Sequence, residues 1–132
     1  KLERGLELTA RPPTDHDDTW EQPWGERREI RNHYRELRVT FTERADLRRT
    51  FDVVFRVYDD GLGFRYEFPE QDALRTVRIG SELTEFNIAE DGEAWWIPAW
   101  EWNREEYLYH RTPIEGAGAT QTPMTMRLES GL

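Results

Sequence analysis

Between Tyr34 and Phe68 the chain alternates apolar and polar residues with a period of two, and this block constrains the fold most. Successive side chains of a β-strand point to opposite faces, so such alternation describes strands with one apolar face. Leu37, Val39 and Phe41 share one face of a predicted strand, with Glu36, Arg38 and Thr40 opposite. Residues 43–47 turn the chain. Phe51, Val53, Phe55 and Val57 then share a face, opposite Asp52, Val54, Arg56 and Tyr58. Asp59-Asp60-Gly61 is a hairpin signal, because Asp and Gly supply the backbone angles of a tight turn. The return strand gathers Leu62, Phe64, Tyr66 and Phe68, with Gly63, Arg65 and Glu67 on its other side. The expectation is a three-stranded antiparallel meander with one aromatic and one charged face.

Weaker signals flank this block. Leu6 and Leu8 alternate with Glu7 and Thr9 in a short first strand. Residues 11–18 contain Pro12, Pro13 and three Asp, and read as a loop. Residues 73–78 are ambiguous, whereas 82–88 read as a strand with Thr84, Phe86 and Ile88 on one side. Glu90-Asp91-Gly92-Glu93 marks a turn, and Ala94 to Ile97 a short apolar strand stopped by Pro98. Tyr107 and Tyr109 alternate with Leu108 and His110 in another short strand. Residues 111–123, with two Gly and two Pro, read as a long loop. Met124, Met126 and Leu128 alternate in a last strand, and Ser130-Gly131 starts another turn. No helical periodicity is sustained. Many short strands with frequent turns predict an all-β antiparallel β-sandwich, as a single domain over residues 1–132.

Composition supports a folded chain. Hydrophobic residues make up 36%, below the globular norm, but six Trp, five Tyr and six Phe restore buried area. Disordered chains lack such aromatics. The net charge of −9 repels phosphate backbones and anionic lipid, so neither nucleic acid nor membrane is an expected partner. The absence of Cys excludes disulfides, thiolate metal sites and Cys nucleophiles. No signal peptide or transmembrane run is seen. The first residue is Lys1 rather than Met, which suggests a fragment or a processed product.

The Trp-rich stretch around Trp95, Trp96, Trp100 and Trp102 is the most suggestive chemical feature. Indole rings stack on the C–H faces of pyranoses, and neighbouring carboxylates accept hydroxyl hydrogen bonds. Trp100, Trp102, Glu105, Glu106 and His110 are therefore the candidate sugar contacts. Equally, Trp95 or Trp96 fills a core, and Trp100 or Trp102 braces a neighbouring surface. Glycosidases need two carboxyls at a set separation. Asp59/Asp60 is explained by turn chemistry, and Asp15/Asp17/Asp18 by a solvated acidic loop that lacks the Ca²⁺-loop pattern. His16, His33 and His110 are scattered without metal-ligand spacing. His110 with Glu106 is the pair closest to an acid and base, as a mutarotase-like reaction would need. No complete catalytic apparatus is visible.

The run Arg56-Val57-Tyr58-Asp59-Asp60-Gly61-Leu62-Gly63-Phe64-Arg65-Tyr66-Glu67-Phe68-Pro69 resembles the central signature of the glycoside hydrolase family 97 N-terminal domain. Residues 30–37, 81–88, Ala94-Trp95-Trp96-Ile97-Pro98, Glu106-Tyr107 and 122–125 continue in that family's order. The resemblance covers roughly Trp24 to Leu132. It implies a β-super-sandwich similar to galactose mutarotase, ahead of a catalytic (β/α)8 barrel that holds the carboxylates. It also implies cleavage of α-glucosidic or α-galactosidic bonds, an α-linked oligosaccharide as ligand, and a periplasmic or extracellular setting. Ca²⁺ is implied in the parent enzyme, with its carboxylate ligand from this domain expected beyond Leu132. The chain is shorter than the family's N-terminal domain, so strands are expected to be missing at both ends. By this reading the chain is a non-catalytic portion of the domain that packs on the barrel. A stand-alone carbohydrate-binding module is the alternative. Arg65 and Glu67 belong to the signature and also suit a cross-strand charged pair.

Overall fold

A computed structural model describes residues 5–45, 47–100 and 106–131. By backbone contacts the chain divides into two units, Lys1–Gly80 and Ser81–Leu132. The described residues form eight strands, all paired antiparallel, and no α-helix.

The first unit is one five-stranded sheet. Its strands are β1 (Leu6–Ala10), β2 (Thr14–Glu21), β3 (Glu29–Glu43), β4 (Thr50–Tyr58) and β5 (Gly61–Glu67). The predicted meander is β3–β4–β5. Leu37, Val39 and Phe41 face Phe55, Val53 and Phe51 across the β3–β4 ladder. Phe55, Val53 and Val57 face Phe64, Tyr66 and Leu62 across the β4–β5 ladder. Rings pack along this aromatic face: Phe41 stacks on Phe51 at 5.0 Å, and Phe55 tilts against Phe64 at 6.1 Å. Val53 and Val39 are buried, whereas Val57 and Leu62 stay more than half exposed.

β1 and β2 both pair with the same edge of β3. Ala10 lies opposite Val39 and Thr14 opposite Glu36, so Arg11, Pro12 and Pro13 oppose only Leu37 and Arg38. That single extra residue is a bulge, where the proline rings withhold ladder hydrogen bonds. Its consequence is a change of face. Leu6, Leu8 and Ala10 lie on the aromatic side, whereas His16 and Trp20 lie on the charged side. The acidic stretch read as a loop from residue 11 to 18 is thus strand from Thr14 onward. Its Asp residues are held by cross-strand cations: Asp15 by Arg35 at 3.0 Å, and Asp17 by both arms of Arg31 at 2.8 and 2.6 Å. The turn after β3 is closed by Glu43, buried and held by Arg49 at 2.7 and 2.9 Å. Beyond Pro69, where β5 has ended, the Gln71 side-chain amide bonds the backbone N–H and C=O of Thr50 at 2.8 Å each. Gln71 supplies there what a strand neighbour would.

The second unit carries a three-stranded sheet of order β7–β6–β8, with β6 (Gly92–Trp96), β7 (His110–Pro113) and β8 (Thr125–Leu128). Ala94 and Trp96 point to its buried side, against Thr112 and Met126. Gly92 is required by close approach: a Cβ there would lie 2.2 Å from the Arg127 carbonyl oxygen.

Three expectations are corrected in this unit. Residues 82–88 form no strand, because the alternation there meets no ladder partner among the described residues. The third strand starts at His110 rather than Tyr107, since pairing with β6 begins at Trp96↔His110. The supposed long loop from 111 holds the rest of β7, a 3-10 turn at Ile114–Gly116, and a bridge between Pro98 and Thr120.

Candidate functional site

Trp96 organises the local structure of the second unit. Its indole N–H donates to the Thr112 hydroxyl at 3.1 Å, and the imidazole of His110 stacks on its ring at 4.9 Å. A Cβ on Gly118 would touch the same ring at 3.4 Å, so the segment after the 3-10 turn lies against it. Trp96 therefore takes the core role, as one of its two sequence readings held. Trp95 points to the other face. Arg111 and Arg127 approach its ring at 5.3 and 5.7 Å, and Glu93 binds both guanidinium groups. The Arg111 guanidinium holds the Glu93 carboxyl below its ordinary range.

Of the five candidate sugar contacts, three are described. Glu106 and His110 line an open depression of about 510 Å³, together with Tyr107 and Leu108. His110 is exposed yet fixed by its stack on Trp96, so one ring face is available from the depression. Trp100 is 92% exposed and adopts φ 65°, a left-handed conformation unusual for a bulky residue. The segment behind it is tied down: Ala99 N–H donates to Ala119 at 2.8 Å, and Gln121 N–H to Ile97 at 3.0 Å. The Gln121 side chain also donates to the Pro98 carbonyl at 3.1 Å. Trp102 and Glu105 lie outside the described residues.

A second chemical feature, unforeseen as a unit, covers the charged face of the first sheet. Asp52 lies directly opposite Glu67 in the ladder, an unfavourable pairing of like charges. Arg38 resolves it. Its guanidinium donates to Asp52 at 2.7 Å and reaches across β4 to Glu67. Arg65, on the same strand as Glu67, donates to it at 2.6 Å, and the Thr40 hydroxyl donates to Asp52 at 2.7 Å. The expected Arg65–Glu67 pair is thus a neighbour pair within β5, tied across the sheet through Arg38. Hydrogen bonds from Arg38 and then Arg65 lower the Glu67 pKa, and the hydrogen bonds to Glu67 and then Asp52 raise that of Arg38. Val54, 1% exposed, sits in the middle of this network. The signal was present: register counted back from the Asp59–Gly61 turn places two acids opposite one another, which calls for a cation.

Beside that network, His16 stacks on Tyr34 at 4.6 Å, and the Arg56 guanidinium lies 4.3 Å from the Tyr34 ring centroid. Arg56 is in turn held by Glu36 at 2.9 Å.

The Ca²⁺ implied by the resemblance needs six to eight oxygen ligands. Among the described residues no three His, Asp or Glu side chains gather for a metal. Asp15 and Asp17 are engaged by Arg35 and Arg31, and Asp18 by His16 at 3.1 Å. The described residues do not fit the ion. Among them, too, no helix is long and apolar enough to cross a membrane.

Comparison with known proteins decides the family. The family model for the glycosyl-hydrolase 97 N-terminal domain matches residues 1–132. The chain belongs to that family. Its structure is similar to a glycoside hydrolase family 97 enzyme from Pseudoalteromonas sp. strain K8 in complex with acarbose, at 38% identity and a TM-score of 0.84. A substituted form of that enzyme in complex with panose matches equally, at 38% identity and a TM-score of 0.84. Each match covers 96% of this chain and 20% of the other. The chain thus spans about one-fifth of the length of the solved relatives. The all-β antiparallel architecture is that of the family's N-terminal β-sandwich class.

Proposed function

We propose that this chain is a non-catalytic portion of the N-terminal domain of an α-glycosidase, acting on α-glucosidic or α-galactosidic bonds. It packs on a catalytic (β/α)8 barrel in the same polypeptide and helps shape the sugar site. The observation that carries this reading is the family match along the whole chain, combined with coverage of one-fifth of enzymes solved with panose or acarbose. Panose is an α-linked trisaccharide, which supports an α-linked oligosaccharide as the substrate class. The described acids support a non-catalytic role. Asp17, Asp52, Glu36, Glu67 and Glu93 are engaged by arginines rather than aimed into a shared cleft.

Trp100, Glu106 and His110, with Trp102 and Glu105 from the sequence, are the proposed sugar contacts. Ca²⁺ in the parent enzyme is placed on ligands outside the described residues, and the setting is periplasmic or extracellular. A stand-alone binding module fits less well, because Leu8, Val57 and Leu62 on the aromatic sheet face are more than half exposed, as befits a surface awaiting cover.

The test is hydrolysis by the full-length protein and by residues 1–132 alone. The full-length protein is expected to release glucose from panose or galactose from an α-galactoside, and residues 1–132 to release neither. An inert full-length protein refutes the reading. So does turnover of an aryl α-glucoside by residues 1–132.

A further inference from the structure

We propose that Trp100 is a stacking platform for an outer ring of the oligosaccharide rather than a residue that braces the fold. This deepens the reading above and rests on it. Three observations carry it. The indole is 92% exposed although it is the largest apolar side chain available to bury. Its backbone occupies the left-handed region at φ 65°, where a bulky residue stores strain and where ligand clamps recur. The strain is imposed from behind: Ala99, Pro98 and Ile97 are bonded to Ala119 and Gln121, so the chain is fixed up to the residue before Trp100.

Packing surfaces of this chain look different. Leu8, Val57, Leu62 and Tyr66 share one face of a sheet, and several rings meet there. Trp100 stands on a loop past the end of β6, presenting a single flat ring on a fixed root. One ring face of that kind matches one pyranose. Its attraction to C–H groups needs neither charge nor a deep cavity, so a neutral sugar is the ligand that fits.

An outer ring lies away from the bond that breaks. Stacking on it stabilises ground state and transition state alike, which lowers KM and leaves kcat unchanged. The experiment uses the full-length protein with panose as substrate. Trp100→Ala is expected to raise KM about ten-fold, the scale of one aromatic contact, with kcat altered less than about two-fold. Trp100→Phe retains a ring face and restores most of the loss, whereas Trp100→Leu, apolar but without a ring, does not. Trp24→Ala, which removes an 86% exposed Trp from the first unit, serves as the unaffected control. An unchanged KM in Trp100→Ala overturns the proposal. Rescue by Leu as good as by Phe, or a fall in melting temperature that tracks the KM change, also overturns it and makes Trp100 a packing residue. Failure of the unaltered protein to hydrolyse panose is a different result: it overturns this proposal, and it removes the parent reading as well only if α-galactosides are also left intact.

Discussion

Replacing Arg38 with Met tests the account of the charged face most directly. Arg38 holds two carboxylates that the β4–β5 register sets opposite one another. Asp52 is 6% exposed, so its charge loses most of its water on folding. Removing one partner of a buried pair costs about 3–5 kcal/mol, because the charge left behind is uncompensated. Two features reduce that here. The Arg38 side chain is 25% exposed and that of Glu67 29%, which lets solvent screen part of the interaction. Glu67 also keeps Arg65, and Asp52 keeps the Thr40 hydroxyl. About 3 kcal/mol remains. Met retains most of the apolar stem beside Val54, so the loss reports charge rather than packing.

Hydrogen exchange in the full-length protein reads this locally. Peptides covering β4 and β5 are expected to exchange about a hundredfold faster in Arg38→Met, with little change in the second unit. The diagnostic is the triple variant Arg38→Met, Asp52→Asn, Glu67→Gln. Neutral amides need no cation, so it should recover most of the protection. Acid acts in the same direction. The folded pKa of Glu67 is depressed, chiefly by its hydrogen bond from Arg38. Its stabilising contribution is therefore complete above the ordinary glutamate range and is lost as pH falls through the depressed folded value. The gap between the unaltered protein and Arg38→Met should accordingly narrow below the ordinary range. Exchange within about three-fold of the unaltered protein would refute the argument. A triple variant as exposed as the single one would do the same.

Further expectations concern packing. Gly92→Ala drives a Cβ to 2.2 Å from the Arg127 carbonyl, so β6 and β8 must separate; circular dichroism melts of the full-length protein should show a lowered or split transition. Val54→Ala removes two methyl groups at 1% exposure and should cost about 2 kcal/mol, read as denaturant sensitivity of the first unit. Val57→Ala is the informative counterpart. At 54% exposure it should be near neutral if the aromatic face stays open, and cost about 1 kcal/mol or more if other parts of the polypeptide cover it.

The meander was legible because every local rule agreed. Alternation, Asp-Gly turn chemistry and aromatic content all put Phe51 to Phe68 into two strands, and the ladder pairs them as the turn predicts. β2 was illegible for the opposite reason. Asp15, Asp17 and Asp18 have low intrinsic strand preference, and Pro12-Pro13 signals a break. Arg31 and Arg35, sixteen and twenty residues beyond Asp15, supply the compensating charges, and that information is non-local. Residues 82–88 failed in the other sense: alternation makes a strand possible, but a ladder needs a partner, and the sequence does not name one. At the candidate site the composition flagged His110 and Glu106, which do line one depression. It set Trp95 and Trp96 apart from Trp100 but could not say which of the first two fills the core; the ladder turns Trp96 inward, whereas Trp100 stays exposed.

That separation bears on what the segment does. Trp96 donates to Thr112 and stacks on His110, which sets the orientation of that exposed imidazole. The bonds from Ala119 and Gln121 then fix the chain leading to Trp100. Rigid support comes from the sheet, and the groups left facing outward are one imidazole face, one carboxylate and one indole. Under the proposed function these are the groups that would hold a sugar. The proposed function accordingly assigns bond cleavage to other residues of the polypeptide, in keeping with a chain one-fifth the length of its solved relatives.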